Sequence, residues 1–254
     1  MIAMAIVPEE WIPVICVDPS TVVGAELFNP NAWEGGSKGV IQSCWSEYAV
    51  LHYCVHQLSE MCEGGDKICA NNIATIQDQW KQSKFDLNRV ACLGQQPDLH
   101  IRIEAFFSGV KSLLDLIVQI LSTDRVVAAA IDGFHRDGDV YGGRVLKALR
   151  NNATKEKKAV AEKIDALISE HKKKWIDRVI AARDQLVHPA KGMHQLMFYL
   201  EFTEEHGALI FVRAHPPHIE STPIHKFAGD ILDQTTVFCS NLLKLLNEKA
   251  VSTR

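Results

Sequence analysis

The sequence lacks a disulfide framework and any zinc-ligand spacing of cysteines. Its seven cysteines, Cys16, Cys44, Cys54, Cys62, Cys69, Cys92 and Cys239, are odd in number and nowhere form Cys-x-x-Cys. That pattern reads as free thiols in a reducing compartment. No His-Glu-x-x-His, P-loop or EF-hand pattern occurs, so no metal or cofactor is expected. No internal repeat is present. Long apolar runs are missing too: the most apolar stretch, 112–122, is too short to span a bilayer and contains Asp115. The first residues, MIAMAIVPEEW, hold seven apolar residues before Pro8 and no early Lys or Arg, which argues against a secretory signal. The expectation is a soluble, cytoplasmic protein with no membrane contact.

What is present is enough for a core. Of the 254 residues 47% are hydrophobic and 23% charged, which excludes disorder and leaves room for one sizeable core or two small ones. The net charge of −4 does not advertise a nucleic-acid binder, but its distribution is uneven. Between Arg150 and Lys191 there are 11 basic and 6 acidic residues, a local +5, against −9 for the remainder. A basic face on an acidic body, or simply a solvated helix face, follows from that.

Along the chain, Pro8, Pro13, Pro19 and Pro30 forbid a long helix in residues 1–36, which are expected to form an extended arm, with a short strand at 12–17. Residues 34–39, rich in glycine, read as a flexible connector. Apolar spacings of three and four then predict helices over 40–62, 66–82 and 98–121, with Asp98 as N-cap of the last. Its apolar set, Ile101 to Leu121, is wide enough for the centre of a bundle. A shorter helix is expected at 124–134, a loop at 135–143 and another short helix at 143–151. The basic stretch 151–191 reads as one long amphipathic helix that Pro189 ends. The period then changes to 2, and 195–213 reads as a β-hairpin around Glu204-Glu-His-Gly207. A proline-rich loop leads to a last helix over 223–249. The fold class is mostly α: a four-helix-bundle-like core in residues 37–254, with a two-stranded hairpin before the last long helix.

The basic helix ends in Arg183-Asp-Gln-Leu-Val-His188-Pro. Arg-x4-His at the end of the third long helix, with the polar Asp184 directly after the arginine, resembles the HEPN superfamily, whose hallmark is Arg-x(4–6)-His. The helical order over roughly 40–249 is similar; the arm and hairpin are additions to a minimal domain of that kind. The resemblance implies a metal-independent endoribonuclease, often from a defence or toxin–antitoxin setting with a neutralising protein partner. It also implies a homodimer in which two motifs meet. Other members only bind RNA, a nucleotide or a protein. A second match, Arg213-Ala-His-Pro-Pro-His218, follows a strand and lacks the helical context.

Chemistry fits those residues. A histidine near its ordinary pKa can take the 2′-OH proton of RNA, and an arginine can stabilise the extra phosphate charge. Lys172, Lys173, Lys174 and Arg178 can track the backbone. On an ideal helix, residues five apart diverge by about 140°, so Arg183 and His188 do not share a face, whereas Asp184 and His188 do. Arg183 falls instead on the stripe of Ile176, Val179 and Ile180. Either the last turn unwinds before Pro189, or the groups meet between subunits. Ordinary helix C-terminal chemistry, in which cations favour the dipole, is the alternative.

Elsewhere, His52 and His56 suit a metal by spacing, but His52 lies on an apolar stripe. His215, His218 and His225 flank prolines in a loop that can hold a metal or be solvated. The loop 133–143 reads as a connector, with Arg136 and Arg144 available to a ligand. Glu104 and Lys111 lie on the central helix, and Lys111 is expected to pair with Asp115.

Overall fold

The computed structural model describes residues 25–87, 92–187 and 196–247. The expected strand at 12–17 lies outside them, as does most of the N-terminal arm. From residue 25 the arm makes two 3-10 turns, Ala25–Phe28 and Pro30–Ala32, and Phe28 is fully buried against the ring of Tyr48.

Helix α1 spans Gly35–Glu63. Its buried stripe of Ile41, Cys44, Tyr48, Leu51, Cys54, Leu58 and Cys62 follows the expected spacing. It starts five residues earlier than the apolar pattern does, through the glycine run taken for a connector. The weak helix propensity of those glycines is offset by a tertiary anchor. Ser37 Oγ donates to Thr123 Oγ1 at 2.9 Å, and Gly36 sits against the same threonine. The next predicted helix is split into α2, Gly65–Ile68, and α3, Ala70–Ser83.

Residues 93–95 form strand β1, Leu93–Gln95. Gly94 permits this, because a Cβ there would lie 2.6 Å from Cys69 Sγ. Helix α4, Pro97–Thr123, begins with Pro97 at its first position, so the cap is Gln96 and Asp98 lies in the first turn. The residue before a proline resists the helical region, which sets this start. Gln96 makes no side-chain cap and donates to Ile68 O at 2.9 Å. By length and composition α4 could cross a membrane. Most of its apolar residues are buried against the other helices, although Ile101 is exposed.

The helix expected at 124–134 is absent. Instead the backbone turns back over the end of α4, its polar groups finding distant partners. Val126 and Val127 N–H donate to Leu121 O, Ile131 N–H to Ser122 Oγ, and Phe134 N–H to Asp115 Oδ1 at 2.6 Å. Val126, Val127, Ile131 and Phe134 are buried at spacings that one helix face would also give, so it is these distant bonds and not the burial pattern that set the backbone here. Helix α5 is Gly143–Asn151, as the sequence indicates.

The basic stretch is not one helix from 151. Residues 155–157 form a 3-10 turn, and the rod runs as α6, Lys158–His171, a π turn, Lys172–Ile176, and α7, Asp177–Val187. The π turn holds Trp175 and Ile176 both inward, with Trp175 Nε1–H donating to buried His171 Nδ1 at 2.8 Å.

The hairpin is β2, Met197–Glu205, and β3, Ala208–His215, joined by His206 and Gly207, both at positive φ as a tight I′-type connection needs. β1 adds a third antiparallel strand in the order β1-β2-β3. The free edge of β3 is covered by side chains: Gln77 donates to Leu209 O, Lys84 to Gly207 O, and Asp66 accepts from Ala214 N–H. A small pair, β4, His218–Ile219, and β5, Thr222–Pro223, leads into α8, Ile224–Asn247. Four rods close the core: α1 packs on α4 and α8, α6 on α8, and α7 on α4. The fold is mostly α with a small antiparallel sheet before the last long helix.

Candidate functional site at the end of the basic helix

α7 carries Val179 and Ile180 into the core at 0% and 1% exposure, so the next turn brings Arg183 to the rim of the same stripe. Its side chain is 30% exposed, and its buried Nε has no hydrogen-bond partner among the described residues. Nη1 donates to Asp184 Oδ1 at 3.2 Å. An arginine on an apolar stripe requires such a partner.

Asp184 is the hub. Its Oδ2 accepts from Arg136 Nη2 at 3.1 Å and from the Tyr141 hydroxyl in a short hydrogen bond. Three of the roughly four acceptor sites of this carboxylate are thereby used. The expected partnership of Asp184 with His188 cannot be placed, because His188 lies outside the described residues. The loop read as a connector, 133–143, supplies both donors. Arg136 stacks over the Tyr141 ring with 3.8 Å between guanidinium and centroid, so the two arrive as one unit. The loop is fixed at its root by Phe134, fully buried, whose N–H is held by Asp115. Asp115 pairs with Lys111, as expected. Gly142, at φ +65, closes the loop against the face of Phe134.

Of the cations expected to track RNA, three are paired with carboxylates. Lys172 Nζ lies 2.6 Å from Asp177 Oδ1, Lys174 Nζ 2.5 Å from Glu170 Oε1, and Arg178 reaches Glu220 Oε2 at 2.5 Å. Lys173 has no ion pair among the described residues. A cavity of about 190 Å³ lies beside the end of α7, lined by Arg178, Ala182, Gln185, Leu186, Leu196 and His218, among others. Leu186 and Leu196 bracket in sequence the stretch that contains His188.

His52 is edge-on to Tyr48, its buried Nε2 has no hydrogen-bond partner among the described residues, and burial pulls its pKa down. His56 pairs with Glu60 at the surface. In the second Arg-x4-His match, Arg213 and His215 both bond Glu201 Oε2, at 2.8 and 2.7 Å, and together hold that carboxylate below its usual range. His225 has a buried Nδ1 with no hydrogen-bond partner among the described residues, and burial lowers its pKa. Among the described residues no group of three or more His, Cys, Asp or Glu side chains can hold a metal.

Tyr141 is the site residue the sequence reading missed. Its contact spans 43 positions, and periodicity does not report such a contact. The available signal was an arginine and a tyrosine in one glycine-bounded loop.

No protein-family model matches this chain, and comparison with curated proteins and with solved structures gives no match.

Proposed function

We propose that the protein is a HEPN-like, metal-independent endoribonuclease that works as a homodimer in the cytoplasm. The observation that carries this reading is Arg183: a guanidinium at the end of a packed helix, held through one nitrogen by a buttressed carboxylate, and five residues before His188. In this reading His188 removes the 2′-OH proton, O2′ bonds to phosphorus, and Arg183 stabilises the added charge. The P–O5′ bond breaks, O5′ takes a proton from solvent, and the products carry a 2′,3′-cyclic phosphate and a 5′-hydroxyl. DNA, lacking the 2′-OH, is spared. A defence or toxin–antitoxin role with a neutralising partner accords with such an activity.

A specific observation favours a second reading, a module that binds RNA, a nucleotide or a protein without turnover. Lys172, Lys174 and Arg178 already have carboxylate partners, so the basic rod offers less free charge than its sequence suggests. The two readings are separated by incubating single-stranded RNA with the purified protein in EDTA and identifying product ends. Cyclic-phosphate ends that disappear in His188→Ala support the nuclease. Binding without cleavage, lost in Arg183→Ala, supports the module.

A further inference from the structure

We propose that Arg136 and Tyr141 are positioning residues that set the direction of the Arg183 guanidinium through Asp184; the catalytic consequence rests on the nuclease reading above. The division of labour on the carboxylate supports this. Oδ2 is taken by the two loop donors and Oδ1 by Arg183, so the loop fixes the carboxylate plane and the plane fixes the arginine. Asp184 is only 15% exposed, which keeps water from replacing the loop donors easily. Arg136 and Tyr141 reach Asp184 as a stacked pair, the guanidinium lying on the ring. The loop itself is anchored in the core by Phe134 and on α4 by Asp115.

Without this buttress, Asp184 would be free to rotate and Arg183 would follow it. Its buried Nε–H reports that freedom, because a side chain that moves out exposes Nε to water. Tyr141→Phe removes the hydroxyl and keeps the ring under Arg136. Arg136→Gln removes the charge and the stack.

The test uses the intact protein and two readouts. In the first, the Nε–H signal of Arg183 is identified by nuclear magnetic resonance from its loss in Arg183→Lys. The wild type is expected to show a shifted, slowly exchanging Nε–H. Both loop variants should move it toward the free-arginine position and raise its exchange at least about tenfold, as local opening of the site would. In the second, RNA cleavage should fall about tenfold or more in kcat with KM little changed, since the interaction matters in the transition state. An Arg183 signal unchanged in both variants overturns the positioning role. If the signal moves but the wild type cleaves no RNA, the positioning role stands and the nuclease reading falls.

Discussion

Replacing Gly142 by alanine tests how rigidly the loop that reaches Asp184 is held. Two glycines of this loop have positive φ: Gly138 at +59 and Gly142 at +65. An added Cβ at Gly138 meets nothing within 4 Å, whereas at Gly142 it lands on the Phe134 ring. Phe134 is fully buried, so its ring can yield only by displacing its packed neighbours. The left-handed backbone costs an alanine about 1 kcal/mol at either site. At Gly142 the overlap adds roughly 2 kcal/mol, the usual scale for forcing extra volume into packed core. Gly142→Ala should therefore destabilise the protein by about 3 kcal/mol and Gly138→Ala by about 1 kcal/mol. Urea unfolding followed by far-ultraviolet circular dichroism and tryptophan fluorescence measures both. Equal costs at the two glycines would refute the reasoning, because they would mean that Phe134 yields and the loop is not locked.

The remaining predictions follow from burial and charge. Burial holds the pKa of His171 below its ordinary value; Glu170 opposes this in part and Lys174 adds to it. A histidine depressed in the folded state contributes stability that is full above its unfolded pKa of about 6.5 and is lost as pH falls below it, at no more than about 1.4 kcal/mol per pH unit. His171→Gln should therefore flatten the fall in urea midpoint between pH 7 and 5, without abolishing it, because His52 and His225 shift the same way; parallel curves would contradict this. Burial, assisted by Glu47, pushes the Cys44 thiol up to about 12, and burial pushes Cys62 to about 11. Peptide mass spectrometry after iodoacetamide at pH 8 should find both unlabelled in native protein and labelled in urea. If the basic rod holds RNA, Lys173→Gln should reduce the slope of log affinity against log salt by about 0.7, and Lys174→Gln by less, because Glu170 already neutralises Lys174.

The elements whose residues repeat at one spacing were legible in the sequence. The stripes of α1, α4 and α8, the hairpin strands and α5 stand close to where their patterns place them, because each buries its own face. Elements fixed by distant partners were not. The helical start at Gly35 depends on Thr123, and β1 depends on pairing Leu93 with Tyr199, more than a hundred residues away. Residues 124–134 have helical composition, yet bonds to Leu121, Ser122 and Asp115 direct their backbone elsewhere. At the site, the placement of Arg183 on the stripe of Ile176, Val179 and Ile180 was legible from helical angles. The Arg136–Tyr141 buttress on Asp184 was not, since it joins separate segments. The π turn escaped for another reason: three lysines followed by Trp175 and Ile176 fit a regular helix nearly as well.

The most direct measurement of the central claim is the fate of single-stranded RNA in EDTA with wild type, Arg183→Ala and His188→Ala, each first shown to be folded. The nuclease reading predicts 2′,3′-cyclic phosphate ends from the wild type and none from either variant. Cleavage that persists in folded His188→Ala, or wild type that leaves RNA intact, would contradict it.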